Sequence, residues 1–159
     1  MKSKLKHAEL MESKLNSRLK KVPNPYNLKY ASVWVLTPTL ELKRVAKARD
    51  IYELLENRKT LMAIGNAESF TVVTCGWAAP INNENTDNDE LAPSKHPERR
   101  RVRLTVTANR SGVASVLRFQ DNPNEKTVDE GTARGSLADA VKQLMNDVIN
   151  HQKKKKVKK

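Results

Sequence analysis

The amino-acid sequence predicts an α+β protein: a small antiparallel sheet of three or four strands, helices packed on one face of the sheet, and flexible basic termini. Three observations lead to this class. One segment has the pattern of a β-hairpin, an amphipathic helical pattern lies near each end, and turn residues separate the elements. We divide the chain into a basic amphipathic helix at 1–22, a single α+β domain at 23–150 and a disordered lysine-rich tail at 151–159.

The first element is a helix with one apolar stripe. Its apolar residues recur at spacings of three and four, and Pro23 and Pro25 end the pattern because proline cannot continue a helix. A single stripe on a basic helix must pack against the domain, a second copy or another protein. The stripe consists of Leu5, Ala8, Met11, Leu15, Leu19 and Val22.

Two strands and a helical region follow. Residues 30–37 and 70–77 are short runs rich in β-branched and aromatic side chains, which predicts strands. Between them, the apolar spacing over residues 40–58 predicts helical structure. Asp50 and Glu53 have the spacing of a capping box, which favours two helices with a break near residue 50.

The hairpin and a last helix complete the chain. Residues 99–108 alternate strictly between apolar and polar side chains, and the chain returns over residues 113–119 after a turn. Residues 120–135 read as a polar connection. Ser136 begins the final helix, whose apolar stripe ends at Ile149. The polar face of the hairpin is expected to be open to solvent.

Positive charge is concentrated at the two ends of the sequence. The formal net charge is +12 at pH 7. Residues 1–21 carry seven basic and two acidic side chains, and the last seven residues carry six lysines and no acid. The intervening residues 22–150 carry 17 basic and 16 acidic side chains, so this part of the chain is expected to be nearly neutral.

Two groups of cations are candidate binding residues for nucleic acid or for an acidic protein surface. Lysines of the tail can neutralise phosphates and release their counterions, or they can be a solvated tail. Arginines on the polar face of the hairpin suit phosphate and carboxylate recognition, or they discourage strand pairing at an exposed edge. The predicted binding residues are Arg99, Arg101, Arg103, Arg118, Lys153, Lys154, Lys155, Lys156, Lys158 and Lys159.

No pattern identifies catalytic, metal-binding or cofactor-binding residues. Cys75 is the single cysteine, which indicates a reducing, cytoplasmic setting, and a lone cysteine in a strand usually serves packing. A Cys75–His96 pair has no support from the spacing, and three scattered histidines form no ligand cluster. We therefore predict no catalytic residue, no metal and no cofactor. No apolar run approaches the roughly 20 residues that span a bilayer.

Four motifs resemble uncharacterised small proteins of actinobacteria and their phages. They are Gly76–Pro80, His96–Leu104, Gly112–Ser115 and Gly135–Ala140. The resemblance covers the last half of the chain and implies a bacterial or viral origin, without implying an activity. The lysine-rich ends do not belong to this pattern.

The sequence leaves three functions open. The first is a non-catalytic protein that associates with nucleic acid or another polyanion through its lysine-rich tails and the arginine-bearing hairpin face. The second is a structural or assembly protein, such as a phage component, that docks onto a second copy or a partner through residues 5–22 and the sheet face. The third is a small enzyme with a site near His96 and the 121–134 connection. Of the two alternatives, the sequence favours a non-catalytic protein over an enzyme. The expected location is the cytoplasm or a virion.

Overall fold

A computed structural model describes residues 4–78, 97–130 and 136–157. The strands are β1 (Ala31–Leu36), β2 (Leu42–Ala48), β3 (Ser69–Ala78), β4 (Arg100–Asn109), β5 (Gly112–Phe119) and β6 (Asn122–Glu130). They form one antiparallel sheet in the order β2-β1-β3-β4-β5-β6. The helices are α1 (Lys4–Leu19), α2 (Ile51–Glu56), α3 (Arg58–Ile64) and α4 (Ser136–Val157).

Helices cover both faces of the sheet, which corrects the prediction that they share one face. Successive side chains of a strand point to opposite faces. Val33 and Val72 pack in the core beneath α2, α3 and α4, whereas Trp34 and Val73 pack against α1. The apolar stripe of α1 is therefore buried on the protein's own sheet, and the polar side of the hairpin is not open to solvent. The α+β class is confirmed, but the small sheet of three or four strands was wrong.

The two strands missing from the sequence prediction are the two edges of the sheet. β2 lies where a helix was predicted over residues 40–58, and β6 lies in the predicted polar connection 120–135. Each edge strand is fixed by its ladder of pairs with one neighbour, β1 or β5. No described side chain of either strand is fully buried, and both strands lack the apolar alternation that identifies a half-buried strand.

The predicted central strands and the hairpin are confirmed. β4 and β5 pair in register from Val102 opposite Phe119 to Asn109 opposite Gly112. The Asn109 side chain accepts a hydrogen bond from the Ser111 backbone N–H at 2.8 Å, which closes the turn. Gly112 has a φ of 135°, a conformation that side chains with a Cβ rarely adopt.

The last helix continues beyond the end of its apolar stripe. The sequence placed a disordered tail at 151–159, whereas the backbone of α4 is helical through Val157. Lysine is a good helix former, and cations in the last turn interact favourably with the helix dipole. None of the described helices, α4 included, is long and apolar enough to cross a bilayer.

A helix begins near residue 50 as predicted, but strand β2 precedes it, so the prediction of two helices separated by a break at this point was wrong. The Asp50 carboxylate accepts hydrogen bonds from the backbone N–H groups of Tyr52 at 2.8 Å and Glu53 at 3.2 Å.

We expect Asp50→Ala to lower the free energy of unfolding by about 1 kcal/mol, measured by urea denaturation, because these N–H groups lose their acceptor. Glu56→Ala at the other end of α2 is the control, and an equal loss in both variants would contradict a capping role.

Candidate functional site

The four predicted hairpin arginines do not form one surface patch. Arg103 is 2% exposed and Arg118 is 9% exposed, because α1 covers this face of β4 and β5. Arg99 is exposed and Arg101 is half-buried. The structure therefore separates the predicted binding residues into a buried pair and a surface pair.

The buried pair meets a carboxylate of α1. Glu12 is 1% exposed and accepts two hydrogen bonds from Arg118, at 2.8 Å from Nε and 2.5 Å from Nη2. Nη2 of Arg103 lies 3.7 Å from Glu12 and donates to the Asn16 side chain at 2.6 Å. Both guanidiniums thus connect α1 to the middle of the sheet. We call Glu12, Arg103 and Arg118 the buried triad.

The buried triad has two cations for one carboxylate, and neighbouring groups accommodate the excess. Carbonyl oxygens of Pro25 and Pro123 accept hydrogen bonds from Arg103 and Arg118, and the Tyr26 ring lies 5.0 Å from the Arg103 guanidinium. Burial lowers the pKa of Arg103, whereas the hydrogen bonds that Arg118 donates to Glu12 raise the pKa of Arg118. Because these groups are closed off by α1, their role is to hold the helix on the sheet.

The surface arginines of the hairpin stack on an aromatic ring. The guanidiniums of Arg99 and Arg101 lie 5.0 and 5.1 Å from the Trp77 ring centroid, and Trp77 is 39% exposed. Nε of Arg101 also donates to the carbonyl of Tyr26 at 2.8 Å. This small cluster lies where β3 ends and β4 begins.

Two carboxylates of the 121–134 connection, where an enzyme site was considered, are engaged by one arginine. Arg100 donates to Asp121 and to Glu125, with contacts of 2.9 and 2.8 Å. These hydrogen bonds lower the pKa of both carboxyl groups. Residues 131–134 of the same connection, and His96, lie outside the described residues. The arrangement at Asp121 and Glu125 is that of a surface ion-pair network.

Cys75 has the surroundings of a packing residue. Its thiol lies 3.8 Å from the carbonyl oxygen of Pro25, and burial raises its pKa. A raised pKa keeps the group in the thiol form, which is a weak nucleophile. Over residues 4–78, 97–130 and 136–157, no group of three or more His, Cys, Asp or Glu side chains could hold a metal ion.

A strongly basic surface lies at the other side of the molecule, along the edge strand β2. A groove of about 1280 Å³ runs between the C-terminal half of α1 and the β1–β2 hairpin. Five cations line it, against one carboxylate, Glu41. The cations are Lys14, Arg18, Lys21, Lys43 and Arg44.

The groove is held in shape by contacts between its two walls. Nη1 of Arg18 donates to the carbonyl of Leu42 at 3.3 Å, and its guanidinium lies 5.3 Å from the Trp34 ring. Trp34 is 7% exposed, and its indole N–H donates to Ser32 at 2.8 Å. Trp34 therefore forms part of the wall beneath Arg18 and is too buried to stack on a ligand.

Three further cations surround Tyr30 beside the far end of β2. Lys29, Lys47 and Arg49 lie 5.6, 4.9 and 5.9 Å from the Tyr30 ring centroid. A hydrogen bond from Arg49 lowers the pKa of the Tyr30 hydroxyl, with Lys29 contributing. The Tyr30 ring thus contacts three cations, Lys29, Lys47 and Arg49, which lie close to one another. We call these three cations and the five of the groove the basic edge.

The basic edge carries a large excess of positive charge, with Glu41 as the one carboxylate among the lining residues of the groove. In the part of the chain that the structure describes, none of its eight cations forms an ion pair with a carboxylate. Residues 13–49 hold nine basic side chains and one acidic side chain. A sequence window over this segment shows the excess of positive charge, which a boundary at residue 22 divides between a tail and a core, but it does not show that the cations share one surface.

The predicted lysines of the tail are only partly described. Lys153 is an exposed residue of α4, and the backbone at Lys154, Lys155 and Lys156 is helical. Lys158 and Lys159 lie outside the described residues. Lys153, Lys154, Lys155 and Lys156 are therefore carried on the helix that covers the face opposite α1.

Comparisons with protein-family models, with curated proteins and with solved structures find no match to this chain. The resemblance of the second half to actinobacterial and phage proteins therefore stays a prediction.

Proposed function

We propose that this protein binds nucleic acid through the basic edge, without catalysing a reaction. The single observation that supports the proposal is the set of eight cations on one edge of the sheet and its groove. Cations that lack carboxylate partners attract polyanions over a distance of about 10 Å at 0.1 M salt. Nucleic acid offers a regular line of phosphates to such a row of charges.

The composition of the basic edge favours contacts with phosphates rather than with base edges. The polar side chains that line its groove are those of lysine, arginine, serine and one glutamate, with no asparagine or glutamine, and the rest of the lining is apolar. Asparagine and glutamine are the side chains that read adenine, and lysine is a flexible point charge. The expected binding is therefore largely independent of sequence.

The other two functions of the sequence analysis have weaker support. The apolar stripe within residues 5–22, which motivated assembly with a second copy, packs on the sheet: Ala8, Met11 and Leu15 are 0% exposed. Asp121 and Glu125, two carboxylates of the 121–134 connection considered for an enzyme site, pair with Arg100. Among the residues that the structure describes, no carboxylate pairs with the cations of the basic edge in this way.

The proposal is tested by fluorescence anisotropy with labelled single-stranded and duplex DNA over a salt series. If between half and all eight cations contact phosphates, the logarithm of the association constant should fall against the logarithm of salt with a slope of about −4 to −7 on duplex. Scrambling the DNA sequence should leave the affinity unchanged. Absence of binding at about 0.1 M salt, or an affinity that salt does not alter, would refute the proposal.

A further inference from the structure

The turn between β1 and β2 contains a residue in an unfavourable conformation. Leu40 has a φ of 65°, and it is the one non-glycine residue with positive φ in the described part of the chain. Its backbone N–H donates to the Thr37 carbonyl at 2.8 Å, and Glu41 closes the turn through its own N–H and carbonyl. Glycine or asparagine adopts this conformation with less strain than leucine.

Packing does not explain the leucine. Its side chain is 65% exposed, the largest exposure among the exposed large apolar residues of the described chain. The fold thus gains little from this side chain and bears a strained backbone at the same position. Backbone strain that is not offset by favourable packing is typical of a position that serves binding.

The surroundings of Leu40 are those of the basic edge. Nζ of Lys14 lies 3.5 Å from the Leu40 carbonyl, and Arg18 donates to the carbonyl of Leu42 two residues further on. Leu40 does not line the groove itself, but it precedes the lining residue Glu41 and exposes an apolar side chain beside the five cations of the groove. Proteins that bind phosphates in this way often place an apolar side chain against the bases.

We propose that Leu40 contacts a base of the nucleic acid whose phosphates lie in the groove. This inference rests on the proposed function and adds the second half of the contact: cations for the phosphates, and one apolar side chain for the base. A leucine carries no hydrogen-bonding group, so this contact adds affinity without reading the sequence.

A lipid surface fits these observations less well. Interfacial binding needs an apolar face of several side chains. The other exposed large apolar residues of the described chain are elsewhere: Tyr52 and Met62 lie on α2 and α3, and Trp77 lies where β3 ends, away from the turn. A single exposed leucine beside a cationic groove suits a chain-like polyanion with bases.

The test is Leu40→Gly in the full-length protein. Glycine removes the side chain and relieves the positive φ, so the melting temperature should be unchanged or raised, and misfolding cannot explain a loss of binding. Affinity for a labelled oligonucleotide should fall about tenfold, because the variant loses the buried contact of one apolar side chain. Affinity for inorganic polyphosphate, which has phosphates and no bases, should stay the same.

Two further variants separate the side chain from the turn. Leu40→Asn tolerates positive φ but is polar, and it should lose affinity as Leu40→Gly does. Leu40→Met keeps an apolar side chain and should retain most of the affinity.

Three outcomes would overturn the inference. Equal affinity of wild type and Leu40→Gly for the oligonucleotide would show that Leu40 makes no base contact. An equal loss on oligonucleotide and polyphosphate would show that the turn only positions the groove. Wild-type protein that binds anionic phosphatidylserine vesicles but no oligonucleotide would refute the proposed function as well, and would assign Leu40 to a lipid surface.

Discussion

Glu12→Gln is expected to lower the free energy of unfolding by about 3–5 kcal/mol, because it leaves two buried guanidiniums without a carboxylate. Glu12 is 1% exposed, and both oxygens of its carboxylate accept hydrogen bonds from Arg118. Glutamine has nearly the same shape, so packing is preserved while the charge is removed. The measurement is urea denaturation followed by circular dichroism, with the slope against urea compared between variants.

Glu9 provides the matched control on the same helix. Glu9 is half-buried on α1, and Glu9→Gln should change the free energy of unfolding by no more than about 0.5 kcal/mol. A Glu12→Gln variant that unfolds at the same urea concentration as wild type would show that the buried triad does not stabilise the fold. A loss that disappears in high salt would instead indicate a solvent-exposed pair.

Replacing the whole triad separates the charge from the packing. A buried ion pair is often exchanged for apolar residues of similar volume with little loss, whereas breaking one partner is strongly destabilising. The variant Glu12→Leu with Arg103→Met and Arg118→Leu should therefore be more stable than Glu12→Gln alone. If the triple variant is the less stable of the two, the triad contributes through its hydrogen bonds rather than through the balance of buried charge.

Central strands were predictable from the sequence, and edge strands were not. β1, β3, β4 and β5 are flanked by neighbours on both sides and bury one or both faces, so their side chains show apolar runs or alternation. β2 and β6 each have one neighbour, and their polar side chains face solvent. The spacing of Leu42, Val45 and Ala46 fits a helix as well as a bulged strand, and the pairing with β1 decides between them.

The surroundings of the hairpin arginines depend on a long-range contact with α1, and local sequence patterns do not contain this contact. The alternation of the hairpin correctly placed Arg103 with Thr105 and Thr107 on one face, but it could not show that α1 covers this face. The position of Glu12 beside Arg118 joins residues far apart in the sequence. The basic edge likewise combines cations from α1 with cations from β2, so no single element carries the whole of its charge.

The variant Lys43→Glu with Arg44→Glu is expected to weaken nucleic-acid binding at about 0.1 M salt by at least tenfold. Both residues are exposed on β2 and line the groove, so their reversal removes two phosphate contacts and adds two repulsive charges. The slope of log affinity against log salt should become less steep by about 2, one for each lost contact. Because both side chains are exposed, the free energy of unfolding should change by no more than about 1 kcal/mol.

A control with the same change in net charge locates the effect. Lys142 and Lys153 are exposed residues of α4, which packs on the face of the sheet opposite α1. The variant Lys142→Glu with Lys153→Glu should keep the wild-type salt slope if the basic edge is the binding surface. An equal loss in both variants would mean that net charge, rather than the position of the cations, drives association. A larger loss of affinity in the α4 variant would indicate that the lysine-rich end of the chain, rather than the basic edge, is the binding site.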